Sequence, residues 1–134
     1  MDKKSQIKNC ITIWNNRLRR LESTMRQKRD AMEERQKAYE QSINAAQEAE
    51  ARIPEKLAAL NKEMTQRARS IQDINKILEQ ERRVGDEVSQ MKFQITKFKS
   101  SLDAAEIEFE ESKAEVSMAL RKLEKYELIS TTLG

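Results

Sequence analysis

The chain has 134 residues and a formal net charge of +3; 37% of its residues are charged, 4% are aromatic, and only 2 are glycine and 1 proline. So little turn chemistry argues against a sheet, and so few bulky side chains argue against a thick globular core, which leaves long helices. The apolar residues recur periodically, which argues against disorder.

The N-terminal half carries an apolar seam on an alternating +4/+3 beat: Ile7, Ile11, Trp14, Leu18, Leu21, Met25, Lys28, Met32, Arg35, Tyr39, Ser42, Ala46, Ala49 and Ile53. Lys28, Arg35 and Ser42 interrupt it. A repeat of 3.5 residues marks a helix whose one face packs lengthwise on another helix. After Ile53 the apolar residues resume at Leu57, Leu60, Met64, Ala68, Ile71 and Ile74, so the beat stutters at Pro54. Proline lacks the N–H its helix needs and crowds the preceding turn, which predicts a kink there.

The return arm keeps the beat longest, at Val84, Val88, Met91, Ile95, Phe98, Leu102, Ala105, Phe109, Ser112, Val116, Ala119, Leu123, Tyr126, Ser130 and Leu133. Pairing the two seams antiparallel, with residue numbers that sum to about 140, sets Trp14 near Tyr126, Leu18 near Leu123, Tyr39 near Leu102 and Ile53 near Val88. The basic segment 17–29 then lies partly beside the acidic segment 103–115, which favours the same register. The reversal falls near residue 70, where Ser70 with Asp73 three residues on is an N-cap signal. A rival reading turns the chain at 51–54, with Pro54 in the first turn of the next helix.

The predicted fold is therefore all-α: a long antiparallel two-helix coiled-coil hairpin, kinked near Pro54 and reversing near residue 70. It forms one unit, with arm 1 over about 4–67 and arm 2 over about 71–131. Arms of about 60 residues give a rod of roughly 90 Å. Its core is predicted at Ile11, Trp14, Leu18, Leu21, Met25, Met32, Tyr39, Ile53, Val88, Met91, Ile95, Phe98, Leu102, Phe109, Val116, Leu123 and Tyr126.

Little in the sequence points to chemistry. Histidine, the commonest general base and metal ligand, does not occur. Glu33-Glu34 and Glu110-Glu111 read as solvated helix faces, and Cys10, between Ile7 and Ile11, reads as a small seam residue. No catalysis, cofactor or metal is expected. The lone cysteine cannot close an internal disulfide, which suits a reducing, cytoplasmic setting. No run approaches the length of a membrane span, and MDKKSQIKNC lacks the apolar core of a signal peptide.

Binding signals are stronger. Arg17, Arg19, Arg20, Arg26, Lys28 and Arg29, with Arg121, Lys122 and Lys125 returning beside them, make the end carrying both termini basic and suited to an acidic partner. Nucleic acid is not expected, because no aromatic residues interleave the cations to stack bases. Near the reversal, Leu60, Met64, Ile71, Ile74 and Leu78 either close the hairpin or form a second docking face.

An N-terminal seam rich in Ile, Leu, Arg and Gln, a mid-chain reversal and a Lys/Glu-rich return helix ending in RKLEKYELI resemble the central-stalk proteins of type III secretion and flagellar export, the FliJ- and YscO-like family. Pro54 and the absence of a long polar tail depart from its typical pattern. The resemblance implies a monomeric cytoplasmic stalk. Its paired termini enter a hexameric secretion ATPase through the basic residues above, and its tip faces an export-gate protein or secretion chaperones. The alternatives are a structural coiled-coil scaffold, for which a parallel dimer about 200 Å long is expected, and a secretion chaperone or adaptor.

Overall fold

A computed structural model describes residues 2–134. It is an all-α helical hairpin of three helices, α1 (Lys3–Ala51), α2 (Ile53–Gln66) and α3 (Ile71–Leu133). Together α1 and α2 make one bent arm, and α3 returns antiparallel as the other.

The bend has a local cause. Arg52 separates α1 from α2 while keeping right-handed helical angles (φ −86°, ψ −8°), and its N–H is shared between the carbonyls of Glu48 and Ala49, each at 3.2 Å. Pro54 follows in the first turn of α2. Its ring cannot donate to the preceding turn, so the ladder is interrupted for one residue and then resumes with Lys56 N–H donating to the Arg52 carbonyl at 3.1 Å. The chain therefore bends near Pro54 and does not reverse there.

The reversal occupies residues 67–70, as the sequence pairing predicts, and needs no glycine: among the described residues none has a positive φ. Arg67 and Ala68 N–H both donate to the Glu63 carbonyl, at 2.8 and 3.1 Å, and tie off the end of α2. Ser70 then caps α3. Its Oγ accepts from Asp73 N–H at 3.1 Å, and the Asp73 carboxylate reaches back to Arg69 N–H at 3.1 Å, a capping-box arrangement displaced by one residue.

The chain divides into two compact units, one comprising the residues up to Arg35 with Leu102–Gly134 and the other Gln36–Ser101. In the first, α1 turns Ile7, Ile11, Trp14, Leu18, Leu21, Met25 and Met32 half inward, while α3 buries Leu102, Ala105, Ser112, Val116, Ala119 and Leu123. On α3 the buried face thus alternates bulky Leu102, Val116 and Leu123 with small Ala105, Ser112 and Ala119. Buried Ser112 donates to the Phe109 carbonyl of its own helix at 2.7 Å and is satisfied. Tyr126 is half-buried at the same seam, and Leu133, last on the beat, is exposed. Lys28, an interruption of the seam in sequence, lies half-buried with its Nζ 3.2 Å from Glu108 Oε2.

In the second unit Ala46, Ile77 and Val88 are buried, and Tyr39, Ile53, Ile95 and Phe98 half-buried. Lys92 pairs with Glu50 at 3.0 Å and Lys56 with Glu87 at 3.9 Å, and Lys99 sits 5.4 Å from the Tyr39 ring. The residue numbers of these partners again sum to about 140, so both units hold the register that the sequence predicts. Met91 departs from its predicted core position. It is 37% exposed and lines a groove with Ser42, Ala45, Gln94 and Phe98. The residues α1 offers there are too small to cover it.

Two substitutions test this packing by urea unfolding. Leu102, 1% exposed, loses about 2–5 kcal/mol of stability on change to alanine. Gly85 lies inside α3, and a methyl group added to its Cα would meet nothing within 4 Å, so Gly85→Ala raises stability by about 0.5–1 kcal/mol through helix propensity alone. A loss on Gly85→Ala would contradict the open surroundings of that position.

Candidate docking surfaces

The first unit presents its basic residues outward. Arg17, Arg19, Arg20, Arg26 and Arg29 of α1 and Arg121, Lys122 and Lys125 of α3 are all exposed, and Lys28 is half-buried. The seam dictates this: once Leu18, Leu21 and Met25 turn inward, the intervening positions of an amphipathic helix must face solvent. Two of the cations are held by the one tryptophan. The Arg17 guanidinium lies 4.8 Å and the Lys122 ammonium 6.0 Å from the Trp14 ring, so α1 and α3 bring a cation each to one indole. Trp14 is half-buried, and its ring serves both the seam and this cationic surface.

Few of these cations are neutralised by other described residues. Lys28 reaches Glu108, and Arg29 lies 3.7 Å from Asp30. Among the described residues, Arg19, Arg20, Arg26, Arg121 and Lys125 make no ion pair. In the acidic segment 103–115, and again among the described residues, Glu106, Glu111 and Glu115 are unpaired, so direct pairing between the two segments is sparser than their charge counts suggest. Helix geometry explains this. Only charges flanking the seam come within reach, and most of these residues sit farther round their helices.

The tip candidates split into two groups. Leu60 and Met64 are half-buried, and Ile77 of α3 is buried. Ile71 at 77% exposure, Ile74 and Leu78 point outward at i, i+3 and i+7 and form one apolar stripe at the start of α3. Charged groups of both signs surround it. The Asp73 carboxyl is held below its ordinary range, first by the Arg69 N–H it accepts. Glu79 is likewise lowered, chiefly by its 2.6 Å bond from Arg82.

Sequence reasoning missed a third surface. Ile107, Met118 and Leu128 of α3 are 60%, 62% and 69% exposed, and Ile107 lies in a shallow apolar depression with Asp103, Glu106, Glu110, Glu111 and Ala114. Their spacing was present in the sequence, but a single dominant seam on the same helix concealed it. Among the described residues no cluster of His, Cys, Asp and Glu side chains has the geometry to hold a metal ion, and no helix is long and apolar enough to cross a membrane.

Because Arg19 and Arg20 have no ion pair to lose, reversing both to Glu leaves helix content unchanged and shifts unfolding free energy by no more than about 0.5 kcal/mol each; circular dichroism with urea titration measures this. For Asp73 the direction of the shift sets the pH window. A carboxyl with a folded pKa below its unfolded value contributes stability above the unfolded pKa and loses it as pH falls through the folded one. The Arg69 amide resonance is therefore expected to titrate below the ordinary carboxylate range, and Asp73→Asn to abolish that titration. No family model, curated protein or solved structure matches this chain.

Proposed function

We propose that this chain is a stalk component of a type III protein secretion apparatus, which binds and activates a hexameric secretion ATPase and links it to the export gate. The observation that carries the reading is a hairpin in which the two terminal segments pair in one unit and present cations from both helices that make no ion pair among the described residues: Arg17, Arg19, Arg20 and Arg26 on one arm, Arg121 and Lys125 on the other. Fixed positive charge on a stiff paired-helix scaffold suits an acidic ring lumen, where it steers docking and costs little ordering entropy. The exposed Ile71, Ile74 and Leu78 stripe by the reversal is the candidate contact for an export-gate protein or secretion chaperone.

The mechanism rests on asymmetry. A two-helix insert within a six-fold ring cannot touch all subunits alike, so it favours closure of those it contacts and couples their occupancy to its own orientation through differential affinity. No group on the chain takes part in hydrolysis; its contribution is to bias ring assembly and closure. The setting is the cytoplasmic face of the secretion machine.

Adding the purified chain to a cognate secretion ATPase is expected to raise hydrolysis and promote hexamer formation, read by phosphate release and light scattering. The triple reversal of Arg19, Arg20 and Arg26 to Glu weakens that effect roughly 10- to 100-fold in apparent affinity, whereas Ile71→Ser with Leu78→Ser leaves it intact. No change in either rate or oligomer size would return the chain to the class of structural scaffolds or adaptors.

A further inference from the structure

The seam buried between the arms is not the only lengthwise stripe on α3. On its outer face, within the first unit, Ile107, Ala114, Met118 and Leu128 are exposed, and they fall on a +4/+3 beat completed by Glu111, Arg121 and Lys125, with Ala104 one step before. A 3.5-residue repeat of this kind is what a helix needs to pack lengthwise on a further helix. The hairpin already satisfies its first seam internally, so among the described residues of the unit this second one has no partner.

The chemistry of the stripe identifies what fits it. Its charge changes along the helix from acidic, at Glu110 and Glu111, to basic, at Arg121 and Lys122. Among the described residues, the side chains of Glu111 and Arg121 make neither a hydrogen bond nor an ion pair. A second α3 laid antiparallel about a two-fold axis at the level of residue 116 maps the stripe onto itself, position for position. Glu111 then meets Arg121 of the second copy. Met118 fills the space over Ala114, Leu128 that over Ala104, and the aliphatic stem of Lys125 lies along Ile107. Large residues meet small ones and opposite charges meet, and the two-fold axis makes each contact twice. The matched stretch runs about 36 Å, at 1.5 Å per residue.

We infer that the outer face of α3 is a self-association surface, through which two copies of this hairpin form a reversible antiparallel dimer centred near residue 116. Such a dimer stands whether or not the chain is a stalk. If it is, the dimer occupies Arg121 and Lys122 and so competes with docking of the basic surface.

Sedimentation equilibrium of the full chain over a wide concentration range tests it. The expected result is a monomer–dimer equilibrium that weakens as salt is raised. Met118→Glu weakens it at least about tenfold, with helix content unchanged by circular dichroism because Met118 lies outside the buried seam. Glu111→Arg and Arg121→Glu each weaken it, and the double reversal restores it. A monomer at every concentration, a dimer indifferent to Met118→Glu, or a double reversal that fails to restore association would each overturn the inference. Met118 is outside the proposed ATPase-docking residues, so ATPase stimulation by the Met118→Glu variant separates failure of one proposal from failure of the other.

Discussion

The alternation of bulky and small side chains along the buried seam is the constraint on which the remaining features depend. In the terminal unit α3 contributes alanine or serine at positions 105, 112 and 119 between Leu102, Phe109, Val116 and Leu123, and α1 turns Trp14, Leu18, Leu21, Met25 and Met32 toward the same seam. A slip of three or four residues would keep apolar residues near one another but set bulky positions of α3 against Lys28 and Arg35 and small ones against Met25 and Met32, leaving clashes and voids in the same interface. Shape complementarity therefore excludes these half-heptad alignments, and hydrophobic burial drives the association.

With register fixed, electrostatics follows from position on the helix. Charges beside the seam find partners across it, as Lys28 does at Glu108, Lys92 at Glu50 and Lys56 at Glu87. All are exposed or half-exposed pairs, and such pairs contribute little to stability while disfavouring wrong alignments. Charges farther round the helices, among them Arg19, Arg20, Arg26, Glu111 and Arg121, make no ion pair among the described residues. A surface that keeps this many un-neutralised groups of both signs retains the capacity to select another macromolecule, and that capacity underlies both the stalk reading and the self-association surface.

Interruptions of regular structure are handled locally. Pro54 falls in the first turn of α2, where its missing N–H does least harm, and the adjacent break at Arg52 makes a bend there. The reversal at 67–70 uses no left-handed residue. It relies on paired donors to the Glu63 carbonyl before the turn and on Ser70 and Asp73 after it. Both the proline bend and the Ser70 cap are legible in the sequence, because a proline and a cap residue act within one helical turn and need no tertiary context.

Local sequence determined the helical state, the stutter at Pro54, the cap at Ser70 and, through the matching of two long seams, the antiparallel pairing, since periodicity and propensity are properties of neighbouring residues. What it left open was decided in three dimensions. Leu60 and Met64 turn inward while Ile71, Ile74 and Leu78 turn outward; Met91 stays partly uncovered over Ser42 and Ala45; and the stripe through Ile107 and Met118 remains outside. A repeat specifies which residues share a face of a helix, but whether that face is covered depends on the volume and reach of the side chains opposite, and only the packed pair of arms brings those together.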